Sequence, residues 1–493
     1  MANDDPKTGK GGVSRRHLLG ASAVVAAGAM GMQAGPVPFG VPHAEAQTSV
    51  AAAMRPSVNY LWSSGQQIQS LRRGVEVMKS RPFEDPTSWS YQAAIHGYGF
   101  VPPAGLPRDM VENMSECIHG SRGADFPYRY FLPWHRLYLH YFERILRDAS
   151  GDPALSLPYW NYSDPNGRAI PLAFRWPNQA GNALYDANRN RFPGSFINRG
   201  DPLQARQTDT RASMSRRDFD SFSDTLENGL HGTVHVAVGG QGGNMSGFDT
   251  AGLDPIFWLH HCNIDRMWSR WLDTNANPGD PRWLDRQFSF YDETGTRRTR
   301  AVSDTIDTRT LGYAYDDEPF SPFIGFQPIL VASAGESGGI VEEIGRTEGI
   351  SLTGRAEKVA IAPIDAQAAE SAGADLFFTA QDARDPRPVI LRLEGIDYDG
   401  APGYLYEIYV NLPADETPQG EEAAPYFAGT LSPFGLAGSL LPFDIDISGL
   451  LNRQIDDELF LGGQVTVDFI PVGVAEGEDV AEITVESLSL VRE

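Results

Sequence analysis

No histidine follows His261 in this chain of 493 residues, although the chain holds ten. Two of them, His17 and His43, lie in an N-terminal segment with the character of a leader. The remaining eight are His96, His119, His135, His140, His231, His235, His260 and His261. This segregation divides the chain into a part that can ligate metal through imidazole and a part that cannot. His231 and His235, in "HGTVH", stand four apart, so on a helix both rings leave one face. His260 and His261, in "DPIFWLHHCNID", are adjacent and face different directions, so at most one is expected to complete a set of three with that pair. His96, His119 and His135 form a second set: His96 ends a short helix, His119 lies in a loop, and His135 sits just inside a helix expected to start after Pro133. His140 is five positions further on, off that face, and reads as structural. Two sets of three imidazoles, each leaving open positions, suit copper. Carboxylate-bridged di-iron sites need two Glu-x-x-His pairs, and these histidines make one, Glu116 with His119.

The surrounding pattern agrees with that division. From about 55 to 275 the apolar spacing is helical, as in "LRRGVEVMKS" and "LYLHYFERILRD". Thr87 or Ser88 is placed to cap "WSYQAAIH" with Gly97 as its stop, and Asp254-Pro255 is an N-cap and first-turn pair for "IFWLHHCNIDRMWSRWL". After about 320 the segments "VILRLEGI", "YLYEIYVNL", "QVTVDFIPV" and "AEITVESLSLV" are short and β-branched, which predicts antiparallel strands. The expected organisation is a signal over 1–46, a helical domain with large loops over 47–330, a linker over 331–350 and a β-domain over 351–493. The linker is Gly- and Ser-rich around Glu336, the kind of segment proteases cut.

Charge and cysteine content narrow the function. The net charge of −24 is concentrated in residues 301–493, which carry 35 acidic and 9 basic side chains. An acidic C-terminal part beside a near-neutral front argues against a nucleic-acid partner. Two cysteines, Cys117 and Cys262, exclude a disulfide scaffold. At the N-terminus Arg15 and Arg16 precede a weakly apolar Ala/Gly-rich run and then "AEA" at 44–46, the order of an export signal of twin-arginine type. That implies a periplasmic or secreted protein with no membrane attachment after signal removal.

Several spaced motifs resemble the type-3 dicopper family of tyrosinases, catechol oxidases and hemocyanins. "FLPWHRLYLHYFE" (131–143) resembles the first copper signature, with His135, Arg136 and Glu143 in place. "DPIFWLHHCNID" (254–265) resembles the second, with His261 as the family ligand and Asp265 closing the motif. "IHG" supplies His96, "HGTVH" supplies His231 and His235, and "LGYAY" (311–315) resembles the tyrosine motif that closes the catalytic domain. The resemblance implies a four-helix bundle holding a dinuclear centre of two copper ions. "CIHG" (117–120) is similar to the Cys-x-His of fungal tyrosinases and molluscan hemocyanins, which implies a thioether between Cys117 and His119. The spacing from His119 to His135 is longer than the family usually has. Cys262 reads as core.

The resemblance also implies a reaction: phenolic small molecules and O2 as substrates, ortho-quinones as products. Glu227, four before His231, matches a water-holding glutamate suited to general-base work. Gly232 stands where many tyrosinases carry a water-orienting Asn, which favours diphenol oxidation over monophenol hydroxylation. Phe248 matches a gate residue of plant catechol oxidases. The tail, with "LEGIDYDG", "PYFAGTLSPFG" and "VTVDFIPVG", resembles the C-terminal β-sandwich-like domain of plant polyphenol oxidases, which covers the active site and keeps the enzyme latent. "SPFGLAG" (432–438), around Phe434 and Leu436, is the segment expected to plug the cleft. The alternatives are a hemocyanin-like reversible O2 carrier using the same histidines, and a secreted protein with closed structural zinc sites.

Overall fold

A computed structural model describes residues 53–492, except 62–64, 115–128, 190–195, 318–340, 365–377, 379–384, 386, 421, 437–441 and 476–477. The export signal, Cys117, His119 and residues 331–340 of the expected linker therefore lie outside the described residues. Among the described residues, no helix is long and apolar enough to cross a membrane.

Five helices frame the histidine-bearing half: α1 (Gln66–Ser80), α2 (Trp89–His96), α3 (Phe131–Ser150), α4 (Gly232–Gly239) and α5 (Pro255–Trp271). Their ends follow local chemistry. The Ser88 hydroxyl accepts from Tyr91 N at 3.2 Å and caps α2. Asp254 accepts from Ile256 N at 3.0 Å, with Pro255 in the first turn, where a missing N–H costs nothing. Helix α3 begins at Phe131 rather than after Pro133, for the same reason: Pro133 falls in the first turn, whose N–H groups have no intrahelical partner anyway. It ends at Gly151, whose φ of 64° is the left-handed value that glycine tolerates.

Buried charge clamps two of these helices in place. Strands β1 (Ala53–Arg55) and β4 (Tyr313–Tyr315) pair in parallel, bringing the two ends of the domain together. Arg55 Nε donates to Glu143 on α3 at 2.7 Å, and Arg136 Nε on α3 donates to Asp265 on α5 at 2.5 Å. The Tyr313 and Tyr315 hydroxyls also donate to Asp265, at 2.6 and 2.5 Å. Burial alone would raise the Asp265 carboxyl, but Arg136, Arg55 and the two phenols hold it below its usual range. The motif residues Arg136, Glu143, Asp265, Tyr313 and Tyr315 thus position the helices that carry His135 and His261. Between β1 and β4 in sequence, β2 (Gln287–Tyr291) and β3 (Arg297–Ala301) form a hairpin.

The C-terminal part is two antiparallel sheets over one core, as expected. One sheet runs β11 (Phe443–Asp446), β8 (Val389–Tyr398), β13 (Ile483–Arg492), β5 (Glu342–Leu352), β7 (Ala362–Pro363). The other runs β10 (Phe427–Leu431), β9 (Leu405–Val410), β12 (Thr466–Val472), β6 (Glu357–Ala360). Leu391, Leu393, Ile408, Val467, Phe469 and Leu488 are buried between them. The linker expected over 331–350 is corrected at its end. Residues from Glu342 onward form β5, which pairs along the length of β13. Gly and Ser content suggested a linker, but the partner strand lies too far along the chain for a local pattern to reveal it. Leu405 and Phe434 leave this core and join that of the helical half.

Candidate metal centre

Each histidine reaches the centre from an element whose position the sequence dictates. His96 is the last residue of α2, His135 lies in the first turns of α3, and His260 and His261 sit in mid α5. His231 ends a π-helical turn, Leu226–His231, that runs directly into α4 with His235. Such π turns concentrate at functional sites. All six rings are buried. His135 and His261 stack at 4.4 Å and 6°, while His231 and His235 lie 4.6 Å apart. His96 is 5.7 Å from His135.

Four of the rings have their tautomer fixed by the backbone. The Nδ1 atoms of His96, His135, His231 and His235 donate to the carbonyls of Phe248, Phe131, Glu227 and Met245, at 2.9, 2.8, 3.0 and 2.7 Å. A carbonyl only accepts, so Nδ1 carries the proton and Nε2 the lone pair, the arrangement of metal-ligating histidine. Burial and the neighbouring imidazoles hold His261 well below its usual pKa, and burial pushes His260 down to about 3. Neutral, convergent imidazoles fit copper, which imidazole binds well.

The described residues form two groups with convergent ligand atoms: His231, His235, His260 and His261, and His96, His135 and His261. His261, expected in the second set alone, reaches both. His260 and His261 were expected to diverge, yet both join the second group. Adjacent helical residues are about 100° apart, a wedge that two imidazoles can close when the target lies between them. His140 belongs to neither group. Cys262 is fully buried, with its thiol pushed up by burial, as a core residue would be.

Aromatic rings complete the walls. Phe248 packs on His96 at 4.7 Å with the planes tilted by 39°. Phe131 lies 4.6 Å from His135 and 4.7 Å from His231, and Phe257 lies 4.3 Å from His261 and 4.9 Å from His96. Sequence reasoning missed Phe131 and Phe257. The available signal was their position four residues before a histidine, on the same helical face. Glu227 has that spacing too, and it is buried beside His231.

The remaining wall comes from the β part. Phe434 stacks on His235 at 3.8 Å and 12°, and lies 5.5 Å from His231. The Tyr398 hydroxyl on β8 donates to the Pro433 carbonyl, and Leu436 N donates to the same hydroxyl at 3.1 Å, fixing this turn. A Cβ built on Gly232 would meet Ser432 Oγ at 3.0 Å, so the turn lies close against α4 where the helix has no side chain. Arg216 pairs with Asp446 at 3.1 Å, and Arg206 with Glu407 at 3.4 Å, across the same boundary.

Comparison with known proteins agrees with this geometry. The common central domain of tyrosinase matches residues 86–208 and 177–274, the polyphenol oxidase middle domain matches 277–326, and a domain of unknown function matches 341–493. A tyrosinase of Hahella sp. is 32% identical over 85% of this chain and 95% of its own length. Aureusidin synthase of Antirrhinum majus is 29% identical over 73% of this chain and 68% of its own length. The match to polyphenol oxidase E of Solanum lycopersicum, at 29% identity, spans 60% of this chain and 55% of that protein. Among solved structures, latent apple tyrosinase shares the fold at a TM-score of 0.57 and 22% identity, covering 90% of this chain and 98% of that one. Six buried histidines in two converging groups, in a chain 32% identical to a tyrosinase over 95% of that protein's length, place it in the tyrosinase family of dicopper proteins.

Proposed function

We propose that the protein is a copper-dependent polyphenol oxidase, taking ortho-diphenols to ortho-quinones with O2. The observation that carries this reading is the convergence of buried, neutral imidazoles whose Nε2 lone pairs face one space. His96, His119 and His135 would hold one copper, and His231, His235 and His261 the other. When bound, the copper pair supplies two-electron exchange with dioxygen. The chain's own residues bind, orient and move protons. Phe248 and Phe257 give an aromatic substrate a ring-lined seat, and burial excludes water from it. Glu227 accepts the phenolic proton, directly or through one water, as general base. Gly232 offers no amide to orient that water, so diphenols are the better substrates.

The β part is a lid with Phe434 as its plug, and substrate waits for its displacement. Cys117 forms a thioether to His119, fixing the orientation of a ligand that no helix holds. The N-terminal segment directs twin-arginine export.

Copper-loaded protein should consume oxygen and form quinone from 4-methylcatechol. Reversible oxygen uptake with no quinone would instead support the carrier reading.

A further inference from the structure

Like the four histidines whose Nδ1 is tied to a carbonyl, His260 has its Nδ1 held by an oxygen, here a hydroxyl that can accept from it. Its Nδ1 lies 2.9 Å from the Tyr162 hydroxyl, which is itself fully buried. Its Nε2 is buried and has no hydrogen-bond partner. A core histidine kept for structure would be expected to satisfy both nitrogens, because a buried polar atom without a partner is costly. The ring is 4.8 Å from His235, 5.1 Å from His261 and 5.4 Å from His231, stacked on the last at 16°. One ligand atom from each of His231, His235, His260 and His261 lies within 4.8 Å of all the others.

We propose that His260 is a fourth imidazole ligand to a copper held by His231, His235 and His261 when that set alone is filled. The inference rests on the dicopper reading. Four neutral imidazoles make a closed donor set that suits copper(I), whereas three leave a position for an exogenous ligand. His261 also reaches the group of His96 and His135. Tyr162 is a positioning residue in this proposal: its hydroxyl accepts from Nδ1–H, holds the ring and leaves the Nε2 lone pair to the metal.

The test uses His135→Ala, which disables the first set so that one copper(I) remains. X-ray absorption should count four nitrogen neighbours in that variant and three when His260→Leu is added. Tyr162→Phe, in the same background, should speed copper release to bathocuproine disulfonate at least tenfold while circular dichroism stays unchanged. If His260→Leu fails to fold, the release rate of Tyr162→Phe decides. Three nitrogens with or without His260, or unchanged release, would overturn the role of His260 alone. Failure of the unsubstituted chain to bind copper would instead overturn the dicopper reading.

Discussion

Truncating Phe434 should open the centre without any cleavage of the chain. Phe434 is 5% exposed and its ring lies face to face with His235, so on the proposed lid reading closure buries a whole benzyl group. Replacing it with alanine removes about 2–3 kcal/mol of burial, plus about 0.5–1.5 kcal/mol from the aromatic contact. At 1.4 kcal/mol per tenfold, a total of about 3 kcal/mol shifts the closed-to-open ratio roughly a hundredfold. The apparent kcat/KM scales with the open fraction, so it rises by that factor until the open form becomes the majority and then levels off. The assay is initial oxygen uptake with 4-methylcatechol, on variants matched for copper content. Leu436→Ala is the control: Leu436 is two residues on, but it is buried in the core between the sheets rather than at the histidines. It should lower the melting temperature without the same gain in activity. A Phe434→Ala variant with wild-type kcat/KM and two coppers would refute the plug, and equal gains from both variants would show general loosening instead.

Gly232→Asn places a Cβ 3.0 Å from Ser432 Oγ, so it should raise basal activity of the whole chain as well as the ratio of monophenol to diphenol turnover. Adding Ser432→Gly should reverse the first effect and leave the second; an unchanged ratio would mean that selectivity is set elsewhere. Burial raises the Asp224 carboxyl to about 7 against the pull of Arg129, with Glu227, Asp444 and Asp220 adding to the rise. A raised carboxyl binds protons in the folded state that the unfolded chain has released, so stability from this group is lost as pH rises from about 4 to about 7. Asp224→Asn should flatten that slope in melting temperature against pH, and an unaltered slope would rule the residue out. The Cys117–His119 thioether should leave the mature chain two hydrogens lighter than its sequence after full reduction; two free thiols per denatured chain would refute it.

Much of the site was legible because its chemistry is local. The four-residue step from His231 to His235, the Asp254-Pro255 start of α5 and the Ser88 cap of α2 are dictated within one or two helical turns. The segment 432–438 stood out as a Gly-rich turn with two apolar residues, but which of them meets the histidines was not legible: Phe434 stacks on His235, whereas Leu436 packs in the core between the sheets. The strand character of β8, β9, β12 and β13 was equally plain from β-branched runs.

What the sequence determined, then, was which side chains are available and which helix faces present them. Tertiary structure decided which of them meet. Strand β5 exists because β13, more than a hundred residues away, offers it hydrogen bonds, and no local pattern encodes that pairing. His260 faces the centre because α5 is rotated by its clamp, in which Asp265 is held by Arg136, Tyr313 and Tyr315. Adjacent residues on a free helix diverge, and only the packing of the folded domain around α5 brings both imidazoles to one group of ligand atoms.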